Sequence, residues 1–278
     1  MSDIEIRFLG TSAARPIPRW GCKCPQCSVA GTSPHARRTR SAILVNKSLL
    51  VDSGPDIYDQ LHTIPYDDLA LIDNIVITHA HADHVLGLDD LASLRRISQL
   101  PVLPLHSLPD SWERIHEGFR YLIASESSQY DIRPFAHREL ELGKPLVLTE
   151  GLKVTPLDTH HTQPFTTAGL LIEQDDRRVF YAPDLGDLSI DQIAGVDLLI
   201  LDGSFLSKEQ MGKRYTPLLE EGQGRHMPIL ESAQQAQETG VQRIIFTHIG
   251  HLRQTADQLL DQLPAGCEVA YDGLVITV

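Results

Sequence analysis

The chain has 278 residues, 42% of them hydrophobic and 22% charged, and its 37 acidic residues outnumber 24 Lys and Arg to leave a net charge of −13. That balance argues against a broad electrostatic grip on nucleic acid, which needs clustered cations to displace counterions from phosphates. No apolar run approaches the roughly 20 residues that span a bilayer, and no basic-then-apolar leader opens the chain, so a cytoplasmic location without a membrane partner is the expectation.

In chain order, Ile4 to Leu9 alternates apolar and polar and predicts a strand ending at Gly10. The next thirty residues hold Gly, Pro, Cys22, Cys24 and Cys27 without periodicity, which predicts a long ordered loop that a metal would hold. The basic run from His35 to Arg40 reads as a solvated surface loop. Apolar runs at 42–45 and 48–52 flank Asn46-Lys47, a two-residue hairpin signal. A short helix over 57–62 and a buried strand over 75–78 lead into Thr78-His79-Ala80-His81-Ala82-Asp83-His84. Leu86, Leu88, Leu91, Leu94 and Ile97 then fall near a 3.6 period, predicting a helix.

Further on, the pattern predicts a strand at 102–105 and a helix over 111–123 with Ser111 as its N-cap. Strands follow at 146–148 and 152–157, with a hairpin over 168–173 and 178–182. A fully apolar strand spans 197–202, then come a helix at 232–239, a strand at 243–247, a helix at 255–263 and a terminal strand at 274–278. Cys267 reads as a buried, inert thiol. Nothing between the halves resembles a linker, so the reading is one domain over 1–278, two packed sheets covered by helices.

The corner at 78–84 packs three imidazoles and a carboxylate into six residues between a strand and a helix, a donor set that suits zinc or manganese. The competing reading is a polar turn capped by Asp83. Other candidates also follow predicted strands: His160-His161 after 157, Asp184 after 182, and His248 after 247. Singly these are turn or surface residues, whereas together they can converge on one rim while the strands bury their apolar faces.

His79-x-His81-x-Asp83-His84, followed by a distal His, an Asp after a strand and a late His, resembles the metallo-β-lactamase superfamily. The resemblance implies an α/β fold, the αββα sandwich of two mixed β-sheets flanked by helices, with two divalent ions between the sheets. It implies that His79, His81 and His161 hold one ion, that Asp83, His84 and His248 hold the other, and that Asp184 bridges them. Zinc, manganese and iron all suit such donors. Either neighbour of the His160-His161 pair could ligate. The similarity favours His161 and leaves His160 as a candidate substrate contact.

Trp20-Gly21-Cys22-x-Cys24-x-x-Cys27 resembles the cysteine loop of the PhnP phosphodiesterases and of the PqqB proteins of pyrroloquinoline quinone biosynthesis. With the step from His248 to His251, it implies a structural zinc on Cys22, Cys24, Cys27 and His251, in a loop at about 20–28. Such a closed Cys3His set leaves no position for substrate, and a reactive thiol cluster is the competing reading. The segments Asp202-Gly203-Ser204-Phe205 and Gly224-Arg225-His226 look more like PqqB than PhnP.

His226 nevertheless matches a PhnP histidine that assists the leaving group, which implies a general acid titrating near working pH. Arg225 and Lys208, near it in sequence, are candidate phosphate contacts. The expected activity is metal-dependent hydrolysis of a phosphodiester, such as a cyclic phosphate on ribose. A water made nucleophilic between the ions attacks phosphorus, with Asp83 and His226 as the catalytic side chains. A small-molecule phosphodiester is the expected partner, nucleic acid is disfavoured, and a homodimer is left open. The rival readings are a PqqB-like role in cofactor maturation, a nuclease resembling the transfer-RNA 3′-processing enzymes, and an accessory protein with a vestigial site.

Overall fold

Apolar side chains on the central strands alternate between two destinations, and that alternation builds the layers. A computed structural model describes residues 3–123, 133–162, 165–211 and 225–278. The first sheet holds β1 (Glu5–Gly10), β2 (Ala42–Val45), β3 (Leu49–Val51), β4 (Asn74–Val76), β5 (Leu103–Ser107) and β6 (Phe135–Glu139). The second holds β7 (Leu146–Val147), β8 (Lys153–Asp158), β9 (Ala168–Gln174), β10 (Arg177–Ala182), β11 (Leu198–Asp202), β12 (Ile244–Thr247) and β13 (Cys267–Val269). The last strand, β14 (Val275–Thr277), returns to the first sheet, giving the orders β14-β1-β2-β3-β4-β5-β6 and β13-β12-β11-β10-β9-β8-β7.

Each sheet begins as an antiparallel meander and turns parallel: β3 to β6 in one, β10 to β13 in the other. Leu198 and Ile200 of β11 point into the core shared with Ile6, Phe8, Ile43 and Val45 of the facing sheet. Leu199 and Leu201 point outward and meet Ala233 and Leu259 of the covering helices. On the first sheet Leu44 and Leu50 likewise face out, onto Ile57 and Leu91. Strands buried on both faces read as unbroken apolar runs, which is why β11 shows no alternation in sequence. The αββα layering and its two mixed sheets are those implied by the resemblance. Among the described residues, no helix is long and apolar enough to cross a membrane.

Several boundaries differ from the sequence reading. The stretch expected to be an uninterrupted loop contains a helix at Pro25–Thr32, whose N-cap Cys24 accepts the Cys27 N–H on its sulfur. Its small and polar residues have no apolar period, and Pro25 in the first turn and the sulfur cap start it instead. The helix expected from Ser111 begins at Pro109, again with proline in its first turn, and leaves Ser111 buried inside it rather than capping it. The helix expected from 232 begins at Ile229.

The basic run is not a solvated loop. Arg38 is buried and donates to Thr11 Oγ1 (2.7 Å) and to the Ala270 carbonyl, while Arg40 pairs with Asp56 at 3.0 Å. Cys267 is half-buried rather than buried, and burial pushes its thiol pKa up.

Candidate metal centre

Every residue of the centre leaves a strand at its C-terminal end, where backbone pairing stops and loops can carry polar groups. His79 follows β4, and His81 caps the short helix Ala82–Val85, which carries Asp83 and His84. That helix can seat against β3 because Gly54 has no side chain: a Cβ there would lie 2.1 Å from the Asp83 carbonyl oxygen. His161 follows β8, Asp184 follows β10 and His248 follows β12. His160 holds a left-handed backbone, φ 52°, which turns its own ring out to Asp158 (3.1 Å) and sends the next ring, His161, inward.

The structure gathers His79, His81 and His161 into one group and Asp83, His84 and His248 into another, with the ligand atoms of each group within 4.8 Å of one another. Asp184 stands between them. Its Oδ1 lies 3.4 Å from His161 Nε2, and its Oδ2 lies 2.9 Å from His84 Nε2 and 3.3 Å from His248 Nε2. Asp83 Oδ2 lies 3.3 Å from His248 Nε2 and 3.4 Å from His84 Nε2.

The outer nitrogen of four of the five rings is fixed from behind. His84 Nδ1–H donates to Asp52 (2.8 Å), His79 Nδ1–H to Thr78 Oγ1 (3.1 Å), His248 Nδ1–H to Ser204 Oγ (3.0 Å) and His161 Nδ1–H to the Arg225 carbonyl. A ring that donates outward from Nδ1 presents a lone pair inward on Nε2, as a metal ligand requires. Two observations make the cluster fit divalent cations. His84 Nε2 and Asp184 Oδ2 are buried and, although 2.9 Å apart, are not aligned as a hydrogen bond, and His79 Nε2 faces His81 Nδ1 at 2.8 Å, nitrogen against nitrogen.

Charge divides the centre. Burial lowers the pKa of His79 and His81 and takes His161 to about 4, so these rings are neutral donors. Burial also acts against the charged form of His248, but Asp184 and then Asp202 outweigh it and raise that ring to about 10. In the same way burial opposes protonation of His84, but Asp52 and then Asp83 outweigh it and raise that ring's pKa. Burial favours the neutral form of Asp83, yet His84 and His248 hold it well below the usual carboxylate range. The negative potential that protonates these two rings would equally attract a cation.

A second cluster lies beside the first. Cys22, Cys24 and Cys27 place their sulfurs 3.4, 3.3 and 3.4 Å from His251 Nε2. A tetrahedral zinc with ordinary Zn–S and Zn–N bonds has S···N edges of about 3.5 Å, so the donor set and its spacing fit. Gln26 Nε2 donates to the Gly250 carbonyl (3.0 Å), tying the helix of this cluster to the segment between His248 and His251.

A cleft of about 840 Å³ opens over His81, Asp83, His161, Asp184, His226 and His248. His226 enters from the segment after 224, its Nδ1–H donating to Asp202 at 2.6 Å. Lys208 does not line the cleft; it is exposed and pairs with Glu231 at 2.9 Å. Arg225 contributes its backbone, N–H to the His161 carbonyl and carbonyl to the His161 ring, while its side chain faces solvent away from the cleft. His160 does not line it either. The cleft instead presents Arg15, Arg19 and Arg253, which the sequence reading passed over because they sit in segments without periodicity. It also passed over Asp52 and Asp202, whose signal is an acid at a strand end followed by Ser-Gly or Gly-Ser.

Residues 47–249 match the family described as the beta-lactamase superfamily domain. Coenzyme PQQ synthesis protein B of Methylobacterium sp. (strain 4-46) is 27% identical over 99% of this chain and 100% of its own length. A diphosphatase from the PhnP family superposes with a TM-score of 0.78 at 24% identity, covering 100% of this chain and 98% of its own. Zinc-bound PqqB from Methylobacterium extorquens superposes with a TM-score of 0.75 at 22% identity, covering 99% and 100%. With the family match spanning most of the sequence and the sandwich carrying its His/Asp cluster at the strand ends, the chain belongs to the metallo-β-lactamase superfamily.

Proposed function

We propose that this protein is a metal-dependent phosphodiesterase acting on a small phosphodiester, with a cyclic phosphate on a ribose as the leading substrate. The observation that carries the reading is His226, a proton-bearing ring at the edge of the His/Asp cluster. Burial works against its charge, but Asp202 at 2.6 Å and then Asp184 outweigh that and raise its pKa. With Nδ1 committed to Asp202, the proton it can pass to a departing alkoxide is the one on Nε2. Arg15 and Arg253 in the cleft, in a chain of net charge −13, support an anionic ester as substrate.

The residues that would hold two divalent cations are His79, His81 and His161 on one side and Asp83, His84 and His248 on the other, with Asp184 shared. When bound, such cations supply Lewis acidity to the ester and to the attacking water. Asp83, kept ionised by His84 and His248, accepts a hydrogen bond from that water and orients it. Asp202 keeps His226 oriented and protonated. Cys22, Cys24, Cys27 and His251 would hold a separate zinc that fastens the neighbouring loop and leaves no open position.

Turnover of bis(p-nitrophenyl) phosphate and of a 2′,3′-cyclic nucleotide by protein of defined metal content tests this. Activity abolished in Asp83→Ala is the expected result. A second reading, a PqqB-like step in maturing a peptide-derived cofactor, is favoured by the full-length similarity to coenzyme PQQ synthesis protein B. Absence of turnover on any phosphodiester by the metal-loaded protein would shift the assignment to it.

A further inference from the structure

Arg19 is clamped to the cysteine–histidine cluster by both of its backbone groups. Its N–H donates to Cys27 Sγ (3.3 Å), and its carbonyl accepts from Cys22 N (3.2 Å). From this anchor its side chain lines both the active cleft and an adjoining cavity of about 910 Å³. Its Nε is buried without a hydrogen-bond partner. Arg15 and Arg40 line the same adjoining cavity, so the charged neighbours of Arg19 there are cations. A half-buried guanidinium in cationic company, with an unused donor, is an arrangement that an anion relieves.

We infer that the cysteine–histidine cluster does more than fasten the fold: it positions Arg19 as a specificity-determining residue that binds a non-reacting anionic oxygen group of the substrate beside the hydrolytic centre. The inference rests on the hydrolytic reading above. Both cavities share Ala14, Arg15, Arg19 and His251, so a substrate with its ester at the His/Asp cluster can extend an anionic arm to Arg19 without leaving the surface. Cys27→Ser should therefore act through Arg19 although it leaves that side chain in place.

The test compares 2′,3′-cyclic AMP with and without a 5′-phosphate, in wild type, Arg19→Met and Cys27→Ser. Arg19→Met should raise KM for the phosphorylated form about tenfold, the scale of one charge-assisted hydrogen bond, with kcat unchanged. KM for the unphosphorylated form should stay within about twofold. Calorimetric binding of 5′-AMP, with adenosine as control, should weaken to a similar degree in both variants, and Arg19→Lys should recover part of it. Equal losses on both substrates would reduce Arg19 to a structural role. A Cys27→Ser protein that lacks zinc yet keeps wild-type discrimination would reduce the cluster to a staple. Arg19→Met leaves the cluster's ligands intact and decides the side chain's part even if Cys27→Ser does not fold. If wild type turns over neither substrate, the hydrolytic reading fails, and 5′-AMP binding to wild type and Arg19→Met still decides this one.

Discussion

The two sheets solve the same problem with the same device and put it to different uses. Asp52 ends β3 beside β4, and Asp202 ends β11 beside β12; each is fully buried behind histidines carried by the neighbouring strand end. Asp52 is wholly occupied in holding the first half. Its Oδ1 accepts Thr78 N–H (2.8 Å), both oxygens lie 3.0 Å from Thr78 Oγ1, and Oδ2 accepts His84 Nδ1–H (2.8 Å). Asp202 divides itself. One oxygen accepts Ser204 N–H (2.8 Å) and lies 3.6 Å from His248 Nδ1, and the other accepts from Leu185 N–H (3.2 Å) and from His226 (2.6 Å). Thr247, which matches Thr78 in position, is left with a buried hydroxyl that has no partner. An acid fixing a corner in one half has become, in the other, an acid that also poises a ring in the cleft.

Removing what the halves share should cost most. Asp184 touches both groups, so Asp184→Asn should lower turnover on the order of 10³-fold and reduce the active-site metal content, measured by elemental analysis against wild type. Retention of full metal content and rate would show that the two groups do not work as one centre. Next comes Asp52→Asn, which frees His84 from behind. Metal affinity should fall roughly 10- to 100-fold, as for other supports of ligating histidines, with a lower melting temperature in the metal-free protein. Asp202→Asn separates the devices. It should depress turnover of poor alkoxide leaving groups by about 10²-fold, while p-nitrophenolate, which needs no acid, changes several-fold at most. Equal losses on both leaving groups would mean that Asp202 merely supports His248, as Asp52 supports His84.

The sequence revealed the inward-facing half of this arrangement and hid the half behind it. His79, His81, Asp83 and His84 stand close together in the chain, and their spacing alone marks metal chemistry. Asp52 and Asp202 stand alone at strand ends and look like turn residues. Their role exists only because parallel pairing sets β3 beside β4 and β11 beside β12, joining Asp52 to Thr78 across 26 positions and bringing Asp202 within 3.6 Å of His248 beyond the end of β12. Sheet layering was legible because long apolar runs bounded by acids and glycine admit few other structures. The helix at Pro25–Thr32 was not, because sulfur and proline begin it rather than an apolar face. Lys208 and Arg225 show the opposite error: closeness to His226 in sequence did not bring their side chains to the cleft.

A buried histidine outside the cluster extends the comparison, because it has no acid behind it. His106 on β5 hydrogen-bonds Asn74 Oδ1 through Nε2 at 2.9 Å, and its Nδ1 is buried without a partner. Burial, with Arg138 and His137 adding to it, lowers its pKa to about 4, whereas His84 and His226 are raised by their carboxylates. Its folded value lies below the unfolded value of about 6.5, so between these limits the unfolded chain binds the extra proton. Stability from this residue is present above pH ~6.5 and is lost as pH falls through about 4. His137, stacked on Trp112 at 3.7 Å and also at about 4, acts in the same direction. His106→Gln, which can keep the donation to Asn74, should flatten the loss measured by urea unfolding between pH 6.5 and 4 by about 2 kcal/mol. At neutral pH it should change stability and turnover little. An unchanged slope would mean that the ring protonates in place, and that burial without a carboxylate is not what sets it apart from His84 and His226.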